Sequence, residues 1–118
     1  MLTISDGQFD RLREVSDAAF SKRLANFLIE ADPDAGDIPF EELLTTAERQ
    51  MARARAYGIV TEHGFAVYFL TAWILGEDFD TAFPAAQTVL EDSGTALSAK
   101  TDWLEQWTLQ ILETLENQ

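Results

Sequence analysis

The only histidine of the chain, His63, is the side chain whose type most readily does chemistry. Its imidazole changes charge near neutral pH, so it could act as a general base, or bind a metal ion together with its neighbour Glu62. The motifs support neither role, because the sequence has no HExxH, no Gly-rich phosphate-binding pattern and no serine in a nucleophile elbow. The favoured interpretation is a surface residue in the first turn of a helix. The sequence therefore predicts a non-enzymatic protein without catalytic or cofactor-binding residues.

Two clusters of acidic residues lie in predicted loops, where oxygen ligands would suit calcium or magnesium. Their members are Asp32, Asp34 and Asp37 in the first loop, and Glu77, Asp78 and Asp80 in the second. The first cluster lacks the EF-hand pattern with its terminal bidentate glutamate, and the second is too short to form such a loop. Solvated turn residues and helix caps account for both clusters. We therefore expect no metal site and no cofactor.

The distribution of charge is more informative than any of these motifs. The 118 residues include 21 acidic and 8 basic ones, for a net charge of -13. Residues 61–118 contain ten acidic residues and a single base, Lys100. Without clustered lysines and arginines, binding to nucleic acid is excluded, and the charge also opposes adsorption to anionic membranes. The acidic half is either a solvated surface that maintains solubility or a face that attracts a basic protein partner.

Cysteine is absent, which excludes disulfides and thiolate metal sites. The first residues lack the basic and apolar regions of a secretory signal. The longest apolar stretch, residues 65–75, is too short to span a bilayer. These features predict a cytoplasmic protein that relies on its hydrophobic core for stability.

Apolar residues that recur every three or four positions predict helices, and capping residues divide the chain into five of them. The predicted helices cover residues 5–31, 39–57, 61–75, 84–91 and 97–115. Gly58 and Gly76 are expected to end the second and third helices, and Thr61 to cap the start of the third.

The third predicted helix is apolar on every side, which is typical of a central, buried helix. The last predicted helix has one apolar face, formed by Leu97, Leu104, Trp107, Thr108, Ile111 and Leu115. The sequence therefore predicts an all-α fold: a single-domain bundle of about five helices around a buried central helix, over residues 1–118.

Two aromatic features have alternative interpretations. Trp103 and Trp107 are one helical turn apart and belong either to the core or, if exposed, to a binding surface for a protein partner. Phe79 follows the end of the third predicted helix and is flanked by acidic residues. We expect its side chain to fold back into the core.

A pattern of helix ends and core positions extends over most of the second half. Ala52-Arg-Ala-Arg-Ala-Tyr-Gly-Ile59 is followed by Thr61-Glu62, an aromatic-rich helix and Leu75-Gly-Glu-Asp-Phe-Asp-Thr81, then by Pro84, Leu90-Glu-Asp92 and Lys100. This pattern resembles small helical proteins encoded in bacterial type VI secretion gene clusters, beside spike-tip proteins, effector-loading adaptors and toxic effectors. Its core-type residues, which are Tyr57, Gly58, Gly76, Phe79 and Asp80, are expected to specify the fold.

The resemblance implies a protein-binding accessory factor, whose partner is a secretion adaptor or an effector. The favoured role is a co-chaperone or adaptor-type protein that assists effector loading. The alternative is an immunity protein that neutralises a toxin, such as a basic nuclease. The expected binding face combines the solvent side of the last helix with the second acidic loop. It contains Glu77, Asp78, Asp80, Asp102, Trp103, Glu105, Gln106, Glu113 and Glu116.

Overall fold

The computed structural model describes residues 17–116 of the chain, and the side chains of residues 20–115. Helices α1 to α6 cover Asp17–Ala31, Phe40–Ala56, Glu62–Leu75, Phe79–Ala82, Pro84–Glu91 and Leu97–Glu116, and a 3-10 helix covers Pro33–Asp37. No strand occurs in this part of the chain. The prediction of an all-α bundle is confirmed. Residues 5–16 of the first predicted helix lie outside the described residues.

Helix α3 lies at the centre of the bundle, as its sequence predicts. Residues 64–72 are buried without interruption, so this helix has no polar face over more than two turns. It packs against α1, α2, α4 and α6. A buried hydrogen bond joins the hydroxyl groups of Thr71 in α3 and Thr108 in α6, whose oxygens are 2.6 Å apart. This bond fixes the contact between α3 and α6.

The connection from α2 to α3 is determined by local sequence signals. Gly58 has a φ of 87°, and its N–H donates to the carbonyl of Arg55 at 2.9 Å, while the N–H of Ile59 donates to Ala54 at 3.0 Å. These two bonds form a Schellman motif, with Ile59 buried against the core. Thr61 then accepts the N–H of Gly64 at its hydroxyl oxygen, at 2.9 Å. The predicted caps at both residues are confirmed.

Helix α4 was predicted as a loop and is instead a single helical turn. Gly76, with a φ of 104°, ends α3, and the carbonyl of Asp78 then accepts the N–H groups of Thr81 and Ala82. The turn directs Phe79 into the core, where it is fully buried with its ring 4.9 Å from that of Tyr68. The predicted insertion of Phe79 into the core is confirmed.

The buried face of α6 differs from the predicted one. Leu97 and Leu115 are 45% and 53% exposed, so the prediction that they face the core is wrong. The buried residues are Lys100, Thr101, Leu104, Thr108 and Leu112, of which the prediction included Leu104 and Thr108. The apolar pattern could not predict Lys100 and Thr101, because both are polar and yet lie inside the bundle.

No helix among the residues that the structure describes combines the length and the hydrophobicity needed to cross a membrane. The most apolar of these helices, α3, covers Glu62–Leu75. Its apolar side chains are covered by the other helices of the bundle.

Candidate functional site

The acidic loop after α3 is bonded to arginines of α2. Glu77 accepts hydrogen bonds from the Arg49 Nε and from the Gln50 amide, both at 2.7 Å. The bond from Arg49, opposed in part by burial, lowers the pKa of Glu77. Asp78 is 3.6 Å from Arg53 and keeps an exposed side chain. Two of the three expected binding residues of this loop are therefore partly neutralised by the chain itself.

Asp80 is buried, and it holds the loop against α2. Its side chain is 5% exposed and accepts hydrogen bonds from Arg53 at 3.0 Å and from the Tyr57 hydroxyl at 2.6 Å. The prediction that Asp80 lies on a binding surface is therefore wrong. The expectation that Tyr57 and Asp80 help to specify the fold agrees with this geometry.

Both tyrosines of the chain border this cluster, and both have raised pKa values. Burial, together with the hydrogen bond to Asp80 and its negative charge, raises the pKa of Tyr57 to about 12. Burial is also the main cause of the raised pKa of Tyr68, and the charge of Asp80 adds to it. In both cases the phenolate is disfavoured because it would be desolvated beside a carboxylate.

These pKa values predict that the folded protein keeps both tyrosines protonated at about pH 11, whereas the unfolded chain ionises both near pH 10. Because the folded pKa values are raised, the stability contributed by the phenols is complete below about pH 10 and is lost as the pH rises toward 12. Phenolate absorbance with and without denaturant measures this difference. A folded-state titration with its midpoint near 10 for either tyrosine would contradict the prediction, and Asp80→Asn should lower the midpoint of Tyr57.

His63 lies in the first turn of α3, as predicted, but it is not a plain surface residue. Its Nε2 is 2.6 Å from the carboxylate of Glu105 in α6, and the two side chains are only 23% and 15% exposed. Glu105 was expected on the binding face and is instead largely buried in this pair. The interaction ties the start of α3 to the middle of α6.

A groove of about 550 Å³ lies between the start of α3 and the start of α6. Its lining, here called the α3–α6 groove, consists of residues 59–63 together with Leu97, Ser98, Thr101 and Asp102. Val60 and Leu97 give it an apolar surface, being 64% and 45% exposed. Glu62 and Asp102 supply its acidic groups. The arrangement is suited to a ligand that is both apolar and cationic.

Two glycines allow the walls of the α3–α6 groove to approach each other closely. A Cβ atom on Gly64 would lie 2.5 Å from Ile59 and 3.2 Å from the Thr101 hydroxyl. A Cβ atom on Gly58 would lie 2.8 Å from Leu97. The distances of 2.5 and 2.8 Å are shorter than real Cβ contacts, so a side chain at either position would displace Ile59 or Leu97. The two glycines therefore allow these groove residues to pack closely.

The tryptophans of α6 form a separate aromatic surface. Trp103 stacks on Trp107, with ring centroids 5.2 Å apart, and Trp107 meets the edge of Phe83 at 5.6 Å. All three rings are half-buried. None of them lines the α3–α6 groove, so the expected binding residues Trp103 and Asp102 belong to different surfaces.

The remaining expected residues of the binding face lie on α6. Gln106 and Glu113 are exposed, and the side chain of Glu116 lies outside the described residues. Of the groove residues, Asp102 was among the expected binding residues, whereas Val60, Glu62 and Leu97 were not. The available signal was Val60, an apolar residue between the buried Ile59 and the helix cap Thr61.

The first acidic loop serves as a structural cap. Asp32 accepts the N–H of Asp34 at 3.2 Å and the indole N–H of Trp73 at 3.0 Å. Within residues 17–116, no three histidine, aspartate or glutamate side chains form a group that could hold a metal ion.

Comparison of the chain with protein-family models, with curated proteins and with solved structures finds no match.

Proposed function

We propose that this chain is a non-enzymatic, cytoplasmic accessory protein that binds a basic partner protein, and that it acts as a co-chaperone or adaptor in the loading of a type VI secretion effector. The observation that carries the proposal is the burial of Lys100, the only base in the second half of the sequence. The secretion role rests on the resemblance of residues 52–115 to proteins of type VI secretion clusters.

Lys100 is removed from the surface by its contact with another helix. Its side chain is 5% exposed, and its ammonium group donates to the carbonyl of Leu90 at 2.8 Å, at the carboxyl end of α5. A cation is favourable there because the last carbonyls of a helix carry partial negative charge. As a result, the described surface of residues 61–115 exposes no lysine or arginine.

The exposed acidic residues of the second half of the sequence that are not paired with arginine lie in or next to α5 and α6. Arg49 and Arg53 pair with the loop after α3, but they reach no carboxylate of α6 in the described contacts. The exposed acidic residues outside that loop are Glu91, Asp92, Asp102 and Glu113. Hydrogen bonds from Thr95 and the Gly94 N–H lower the pKa of Asp92, so its charge persists at mildly acidic pH. Such a surface attracts basic partners and accelerates their association.

The proposal is tested by co-expression of the tagged protein with each product of the neighbouring genes. We expect an adaptor or effector to co-purify, with an affinity that falls as salt is added. Asp102→Lys combined with Glu113→Lys should weaken capture by about tenfold or more, since the steering charge is reversed. Glu42→Lys combined with Glu48→Lys, on exposed positions of α2, is the matched control and should have little effect.

Two results would contradict this proposal. If neither an adaptor nor an effector co-purifies, the chain does not bind the partners that its resemblance implies. If capture is insensitive to salt and to the α6 reversals, the acidic surface does not guide binding.

A second candidate is an immunity protein, which the same surface favours because it would complement the basic active-site surface of a nuclease. Co-expression with an adjoining toxin separates the two roles. Protection of the cells supports immunity, whereas capture of the toxin without protection supports loading.

A further inference from the structure

We infer that the α3–α6 groove binds an arginine side chain of the partner, presented within an apolar segment. This inference rests on the proposed function, which it deepens by naming the groove and the chemistry of its occupant. The groove combines exposed apolar side chains, a buried carboxylate oxygen and an exposed carboxylate, and the described residues that line it include no lysine or arginine.

The apolar side chains of the groove stand out because exposed large apolar residues are few on the described surface. Four large apolar residues are exposed among the described residues, namely Phe40, Val60, Leu97 and Leu115. Two of them, Val60 and Leu97, line this one groove. Exposed apolar side chains that line one groove can bury apolar surface on a partner.

The acidic contribution comes from Glu62 and Asp102. One carboxylate oxygen of Glu62, Oε2, is shielded from solvent and has no hydrogen-bond partner in the structure. A buried carboxylate oxygen without a donor is costly, so a rotation of the Glu62 side chain that brings this oxygen to an N–H group in the groove would be favourable. Asp102 is exposed on the α6 side of the same groove and supplies a second acceptor.

None of the described residues supplies the matching cation from within the groove. Of those that line it, His63 alone can become positive, and its Nε2 faces Glu105. Arg55 lies over the ring of Phe65, with its guanidinium carbon 5.0 Å from the ring centroid, and does not line the groove. The negative charge of the groove is therefore available to a partner.

Arginine fits this site better than lysine or a metal ion. Its planar guanidinium can donate to two carboxylates at once, and its aliphatic stem can pack against Val60 and Leu97. A divalent cation would need more oxygen ligands than the two acidic side chains of the groove provide.

The test uses the full chain and a synthetic peptide, acetyl-Gly-Leu-Arg-Leu-Arg-Gly-amide. Binding is followed by fluorescence anisotropy with a fluorophore in place of the acetyl group, and the site is located with the acetylated peptide by amide chemical shifts in a nitrogen-15 spectrum of the protein. We expect the shifts to fall on residues 59–63 and 97–102. A peptide with citrulline in place of both arginines keeps the shape but loses the charge, and should bind at least about tenfold more weakly.

Paired variants separate the groove from the general acidity of the surface. Glu62→Gln with Asp102→Asn should weaken peptide binding by about tenfold or more, because both charged acceptors are lost. Glu113→Gln, on α6 outside the groove, changes charge without touching the site and should have an effect of less than about twofold. Leu97→Ser should weaken binding, whereas Leu115→Ser, at a similarly exposed position of α6, should not. Circular dichroism confirms that each variant is folded.

Several outcomes would overturn the inference. These are peptide shifts centred on the Trp103–Trp107 surface, equal binding of the citrulline peptide, and full binding by the Glu62→Gln, Asp102→Asn variant. Concentration-dependent dimers that disappear in this variant would show that a second copy of the chain occupies the groove.

The experiments distinguish a failure of the groove inference from a failure of the proposed function. If the groove variant captures the natural partner as well as the wild type does, the proposed function stands and the groove inference fails. If the peptide binds in the groove while no adaptor or effector co-purifies, the groove inference stands and the proposed function fails.

Discussion

Replacement of Phe79 with alanine is expected to lower the free energy of unfolding by about 3–5 kcal/mol. Phe79 is fully buried, and its ring lies against that of Tyr68 at the point where α4 meets the central helix. The substitution removes the apolar contacts and leaves a cavity that the one-turn helix α4 cannot fill by itself. Urea unfolding followed by tryptophan fluorescence measures the change.

Phe40→Ala is the control for this experiment. Phe40 is 38% exposed at the start of α2, so its removal should cost clearly less, about 1–2 kcal/mol. A Phe79→Ala variant as stable as the Phe40→Ala variant would mean that α4 is not docked on the core in solution. The buried position of Phe79 would then be wrong.

Asp80→Ala is expected to destabilise the protein by about 3 kcal/mol, at the lower end of the range for a broken buried ion pair. The substitution leaves the Tyr57 hydroxyl and the Arg53 guanidinium without their shared acceptor. The value is not larger because Arg53 is 32% exposed and can be solvated by water. Thermal and urea unfolding at neutral pH give the free-energy difference.

The neighbouring residue Asp78 provides a matched control. Its side chain is 86% exposed and lies 3.6 Å from the same arginine, so Asp78→Ala should change stability by less than about 0.5 kcal/mol. If the two variants lose similar free energies of unfolding, the buried hydrogen bonds of Asp80 do not stabilise the protein. A double-mutant cycle with Tyr57→Phe isolates the energy of the hydrogen bond between the two side chains.

The features that sequence predicted correctly are those encoded within a few residues. Gly58 and Gly76 end helices because their positive φ angles favour glycine, and Thr61 caps α3 through a bond to a residue three positions later. The burial of α3 followed from its composition alone, and Phe79 was identified by its position among acidic residues. None of these inferences required knowledge of the distant parts of the chain.

The features that sequence missed depend on contacts between distant residues. Asp80 meets Arg53 across 27 positions, and nothing near either residue specifies the pairing. Lys100 occupies the buried face of α6 because a carbonyl of α5 accepts its hydrogen bond there. Nothing within α6 indicates that partner, so the predicted face of the helix omitted Lys100 and included the exposed residues Leu97 and Leu115.

Only part of the candidate site could be predicted, because the rest of it also depends on contacts between distant residues. The excess of acidic residues in the second half and the place of Asp102 follow from the sequence. The α3–α6 groove does not, because it exists only where the cap of α3 and the first turn of α6 come together. The exposure of Val60 and Leu97 likewise depends on how the two helices are packed.

The burial of α3 on all sides has a consequence for how the bundle opens. A helix with one face in water can detach while the rest of the fold persists, but residues 64–72 have no such face. Separation of α3 would expose the surfaces of α1, α2, α4 and α6 together. Its amide hydrogens can therefore exchange with solvent only when the core opens as one cooperative unit, whereas the more exposed α5 can fluctuate separately.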